Sequence, residues 1–147
     1  MAAVTVQSDA VKSELRVDDR RAGVVLCRSA SFEAGAAYDA NSIVQMVPVP
    51  EGAQILFITM YVGDSGTGRT FDVGDGTTVD RFFDGIDPSS GPIRIDLLND
   101  GDAAYIANYE YTADDTIDVK WLGDTLESGQ KIQMNVFYKM GDTIADE

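Results

Sequence analysis

At 147 residues the chain fits a single domain with room for a substantial apolar core. Its 25 acidic residues against 11 basic ones give a net charge of −14. A surface this negative repels nucleic acid and anionic membrane, because both need a basic footprint.

The charge is unevenly spread. Residues 1–28 hold Lys12, Arg16, Arg20, Arg21 and Arg28 against Asp9, Glu14, Asp18 and Asp19, a balance of +1 that leaves −15 for residues 29–147. This marks residues 1–23 as an N-terminal arm, 24–140 as a β domain and 141–147 as an acidic tail. The first residues lack a basic segment followed by an apolar one, so no signal peptide is expected. Within 8–21, Val11 and Leu15 stand four apart behind Ser8. Ser8 could cap a short helix there, but so thin an apolar stripe fits an extended arm ordered against a neighbour equally well.

After Gly23 the pattern is β. Val24–Ser29 is a strand, and its Cys27, the chain's single cysteine, reads as a buried and inert thiol. Ser42–Val47 follows, ended by Pro48, Val49 and Pro50. Ala53–Val62 is apolar on both alternating faces, which predicts a central strand buried on both sides. No apolar run reaches the roughly 18 residues of a membrane helix.

The loop 63–68 leads to Arg69–Val73 and Thr78–Phe83, flanking Gly74-Asp75-Gly76. Asp-Gly between alternating runs is a strong hairpin signal, since the turn needs positive φ. A loop over 84–92, a strand Ile93–Leu97 and a turn at Asn99–Asp102 follow. Tyr105–Tyr111 alternates, as do Thr116–Trp121 and Lys131–Met140, where Ile132, Met134, Val136 and Tyr138 share one face. About nine short strands, with turns every 8–12 residues, predict an all-β sandwich or barrel.

Candidate chemistry is thin. The absence of histidine removes His-based nucleophilic systems and imidazole metal sites. Ser65 sits in a protease-like Gly-Asp-Ser-Gly but has no base, and reads as a loop residue. Asp72, Asp75 and Asp80 could offer oxygen ligands to calcium, yet their spacing is not that of an EF-hand, and solvated turn acids account for them. Tyr105, Tyr109, Tyr111 and Trp121 could form a sugar platform, or simply belong to the core. No catalytic residue, metal site or cofactor is assigned.

Three short blocks, in order, carry a resemblance. Pro50-Glu-Gly-Ala53 precedes the long apolar strand. Val73-Gly-Asp-Gly76 runs into Asp80-Arg-Phe82. Tyr109-Glu-Tyr-Thr-Ala-Asp-Asp-Thr116 precedes an alternating strand and a final Gly129…Ile132-Gln-Met-Asn-Val-Phe-Tyr138. Over about residues 43–139 the chain resembles the capsid decoration, or cement, proteins of tailed bacteriophages. The resemblance implies a jelly-roll-like fold and a homotrimer on the outer capsid surface, where it clamps neighbouring major capsid protein subunits without catalysis. Arg16, Arg20 and Arg21 of the arm are then the expected contacts to a neighbouring subunit. The alternative is a calcium- or carbohydrate-binding β-sandwich module of a tail or adhesin.

Overall fold

The computed structural model describes residues 2–8, 24–63, 68–87 and 109–141, and the backbone of 93–96. Among these residues the protein is all-β, with nine strands in two sheets. The strands are β1 Thr5–Gln7, β2 Leu26–Glu33, β3 Ile43–Val49, β4 Ala53–Gly63, β5 Thr70–Gly74, β6 Phe83–Ile86, β7 Ile93–Asp96, β8 Asp115–Leu122 and β9 Lys131–Met140. One sheet runs β1-β3-β8-β5-β6 and the other β2-β9-β4-β7. No helix among the described residues is long and apolar enough to cross a membrane.

Alternation along each strand builds the sandwich. Val44 and Val47 of β3, Phe71 and Val73 of β5, and Ile117, Val119 and Trp121 of β8 are fully buried. Opposite them stand Ile58 and Met60 of β4 and Ile132, Met134, Val136 and Tyr138 of β9, all buried. The β9 face matches the sequence expectation residue for residue. One end of the core is closed by Tyr38, whose ring lies 6.2 Å from Trp121 and 6.5 Å from Phe32. Reciprocal backbone bonds of 2.9 Å between Tyr38 and Leu126 hold it there.

Several strand expectations need correction. β3 continues through Pro48 to Val49 rather than ending at Val47. Pro48 is tolerated because β1 covers only Ile43–Gln45, so β3 is an edge on that side by Pro48 and no N–H is missed. β4 is flanked by β9 and β7 as a central strand, but only one of its faces is buried. A bulge between Ile55 and Phe57 shifts the alternation, and Tyr61 is 45% exposed. β2 begins later and runs longer than expected. Cys27 is exposed, not buried: β2 is the edge of its sheet, and Cys27 falls on the face turned away from the core, opposite Phe137.

β1 was not anticipated. It pairs parallel with β3, Thr5 opposite Ile43 to Gln7 opposite Gln45. Ser8, which the sequence leaves open between a helix cap and an extended arm, is buried here and directly follows this strand. Its amide donates to Gln45 O at 2.8 Å and its hydroxyl to Met46 O.

Gly74 closes β5 where the chain folds back tightly. A Cβ there would lie 2.1 Å from Thr78 O and 2.3 Å from the Val79 carbonyl carbon, both backbone. Gly74→Ala should therefore cost about 1–3 kcal/mol, read as a melting temperature lowered by about 2–4 °C per kcal/mol. A melting point equal to that of the wild type would show that the 75–82 loop can move aside.

Candidate functional site

The stretch around Gly74–Phe83 is where the sequence concentrated its candidate chemistry. β5 and β6 do form an antiparallel pair, with Phe71 opposite Ile86 and Val73 opposite Phe83. The expected second strand over 78–83 is instead mostly loop, and pairing starts only at Phe83. The reason lies in Asp75. Its Oδ1 accepts the amides of Thr77 (3.0 Å) and Thr78 (2.8 Å), and its own amide donates to Thr78 O at 2.9 Å. This side-chain-to-backbone turn offers the chain an alternative to the ladder.

Asp75 is also not a solvated turn acid: it is fully buried. Its Oδ2 accepts from Arg81 Nε and from the Tyr111 hydroxyl at 3.0 Å. Arg81 Nη2 donates to Thr78 Oγ1 at 3.1 Å, and its guanidinium lies 3.9 Å from the Tyr109 ring centroid. Tyr109 and Tyr111 meet edge to face at 5.0 Å. Burial disfavours the Arg81 charge, but the hydrogen bond and the charge of Asp75 outweigh it and raise its pKa. Tyr111 is pushed well up, first by burial and then by the Asp75 charge. The hub therefore holds a carboxylate, a guanidinium and a neutral phenol.

The hub joins the two sheets. Tyr111 N donates to Ala53 O at 2.9 Å and Gly52 N to Tyr111 O at 2.7 Å, at the start of β4. Gln54 bridges to Glu110 beside it, with Nε2 2.9 Å from Glu110 Oε2. The backbone of 110–111 thus belongs with the four-stranded sheet, while the Tyr111 hydroxyl holds Asp75 at the end of β5 in the other. The arrangement is a clamp between the sheets.

The metal reading does not assemble. Asp75 is engaged in the hub, Asp72 is buried and accepts Gly85 N–H at 3.0 Å, and Asp80 is exposed. Among the described residues no group of three or more potential ligands is placed to hold a metal ion. Nor do the aromatic residues form an exposed platform: Tyr111 and Trp121 are buried, and Tyr109 packs against the core and Arg81. Tyr105 and Ser65 lie outside the described residues, as do Arg16, Arg20 and Arg21.

One acid was missed by the sequence reading. Asp118 on β8 stands between Gln45 of β3 and Gly74 of β5 and is 3% exposed. It accepts from Thr116 Oγ1 at 2.6 Å. Burial pushes its pKa up to about 7 against the Thr116 bond that lowers it, with Asp115 and Asp75 adding repulsion. Only its alternation with Ile117 and Val119 was visible in sequence, and that pattern gives no sign of its burial.

No protein-family model matches the chain, and no curated protein does. Solved structures do. A chain of the capsid of Ralstonia phage GP4 superposes with a TM-score of 0.76 at 19% identity, covering 95% of this chain and 99% of that one. A chain of the cyanophage Pam1 capsid asymmetric unit gives 0.63 at 16% identity, over 87% and 95%. A chain of the acidic stable capsid structure of Helicobacter pylori bacteriophage KHP30 gives 0.53 at 19% identity, over 86% and 96%. The β-sandwich described above is thus a fold found, nearly end to end, in chains of phage capsid structures.

Proposed function

We propose that this chain is a structural virion protein without catalytic activity, which binds the outside of a phage capsid and stabilises contacts between major capsid protein subunits. The observation that carries this reading is the match over 95% of this chain and 99% of a chain in the Ralstonia phage GP4 capsid. The strongly acidic composition suits a body that faces solvent on a crowded shell and must stay soluble. Many copies on one lattice would make weak individual contacts sufficient through avidity.

The arm is the proposed contact, through Arg16, Arg20 and Arg21. Deleting residues 1–23 would also remove β1 and its pairing to β3. Reversing the three arginines to glutamate tests the arm with β1 intact. The triple variant should sediment with phage heads at least about tenfold less than the wild type, as lost charge pairs at an interface predict, while melting at the same temperature alone. Equal occupancy would remove the arm from the account. Failure of the wild type itself to bind heads would remove the capsid reading.

A further inference from the structure

We propose that the cavity between the end of β4 and the starts of β5 and β9 is a binding site for a small monocarboxylic acid that carries an apolar group. The cavity measures about 650 Å³, and Tyr61, Gly63, Arg69, Glu127, Gln130 and Lys131 stand in its walls. Gly63, the last residue of β4, pairs with Lys131, the first of β9. Arg69 immediately precedes β5, and Glu127 and Gln130 lie just before β9. Arg69 is only 8% exposed. Its Nη1 donates to Gln130 Oε1 at 3.4 Å, and the Glu127 amide donates to the same oxygen at 2.9 Å, which fixes the guanidinium at the wall. Tyr61 is half exposed and turns its ring along the strand towards Gly63, where a Cβ would lie 3.6 Å from Tyr61 Cε1.

The walls select the ligand. Arg69 and Lys131 put two cations on one cavity of a chain of net charge −14. Glu127 is the one carboxylate among the described residues of the lining. Two positive charges against one negative leave a surplus of one, which suits a singly charged anion. Glu127 Oε1 lies 3.6 Å from Arg69 Nη2, beyond hydrogen-bond length, and its side chain is 62% exposed. So loose and solvated a pair is weak, and Glu127 can turn to solvent when another carboxylate arrives. Lys131 Nζ is likewise 3.6 Å from Glu33, which stands outside the lining, and both side chains are exposed. A guanidinium is a planar fork that fits a carboxylate with two parallel bonds. Set among protein walls, it attracts an anion more strongly than a cation surrounded by water. The volume falls in the range of about 300–1,000 Å³ of small-molecule sites and far exceeds a bare carboxylate. The Tyr61 ring on the same cavity gives the rest of the ligand its apolar contact.

The proposal does not rest on the capsid reading and is tested on the isotope-labelled full chain alone. Phenylacetate, its neutral counterpart phenylacetamide and inorganic phosphate are titrated in turn, with the Gly63 and Gly129 amides on the cavity wall followed by NMR. Phenylacetate should shift both signals saturably, with a dissociation constant on the order of millimolar for so small a ligand. Phenylacetamide should bind at least about tenfold more weakly, because the charge-assisted bonds are lost. Phosphate, which has no apolar group, should also bind more weakly. Lys131→Gln should weaken phenylacetate about two- to fivefold, and Glu127→Gln should tighten it by as much. Both side chains are more than 60% exposed, so neither exchange disturbs the fold. The absence of a saturable shift would overturn the proposal, as would phenylacetamide or phosphate binding as tightly as phenylacetate. Either variant moving affinity in the other direction, or not at all, would overturn it too. The capped peptide N-acetyl-Phe-Glu-amide then separates two sources of the same chemistry. Tighter binding than phenylacetate assigns the site to an acidic side chain of a partner protein, and weaker binding to a free acid.

Discussion

Replacing Asp75 with alanine should remove about 3–5 kcal/mol of folding stability, the usual consequence of taking one partner from a buried ion pair. Asp75 is fully buried and Arg81 is 15% exposed, so the guanidinium left behind is poorly solvated. The Tyr111 hydroxyl and the Thr77 and Thr78 amides lose their acceptor in the same step, and unsatisfied buried donors cost about 1–3 kcal/mol each where water cannot replace the partner. Urea denaturation gives the number directly, as a lower midpoint at unchanged slope. Asp75→Leu combined with Arg81→Met should be less damaging than Asp75→Ala alone, because no uncompensated charge remains. A loss below about 1 kcal/mol for Asp75→Ala would mean that the clamp between the sheets contributes little.

The fold should also lose stability as pH rises from about 4 to about 7, with Asp118 as the main cause. Its carboxyl titrates at about 7 in the folded protein against 3.8 ordinarily. Between those values the folded state holds a proton that the unfolded chain has released, so stability falls with rising pH and levels off above 7. A displacement of that size corresponds to at most about 4 kcal/mol. Asp72, raised by burial in spite of the Gly85 amide, acts in the same direction. Asp118→Asn keeps an acceptor for Thr116 and removes the buried charge. It should be the more stable protein at pH 8, by up to about 4 kcal/mol, and no better than the wild type at pH 4. Guanidinium denaturation of both proteins across this range measures it. A wild-type stability that climbs from pH 4 to 7 by as much as the variant's would rule Asp118 out.

What could be read in the sequence follows the range of each interaction. β9 was legible because Ile132, Met134, Val136 and Tyr138 alternate without a break, and period-2 burial is local information. The tight Asp-Gly hairpin was not: neither Gly74 nor Gly76 takes a positive φ, and the chain stays in a loop until Phe83. Nor was the role of Asp75, because the hydroxyl that buries it comes from Tyr111, 36 residues on. A sequence rich in aspartate offers no sign of which one has a distant partner. β1 escaped because three residues pair with a strand 38 positions away, in a parallel register that no turn announces. Cys27 was misplaced because the burial tendency of cysteine was applied without knowing which face of an edge strand it occupied. Pro48 was misread as a stop because only the structure shows that its side of β3 needs no donor.

The acids that invited a metal reading are a clamp residue, a buried acceptor and an exposed turn residue. What remains is a two-sheet body on a chain of net charge −14. Such a body fits a component that must stay soluble yet make repeated contacts on a lattice, which is the role proposed for it.

The copy number of this chain in purified phage particles, set against that of the major capsid protein by quantitative mass spectrometry, tests that role most directly. A protein that decorates the shell should be present in hundreds of copies, in a fixed ratio to the capsid subunit, and should be removable by washing that leaves the shell intact. Absence from the particle, or a count of about a dozen or fewer, would contradict the account and point to a connector or a protein outside the virion.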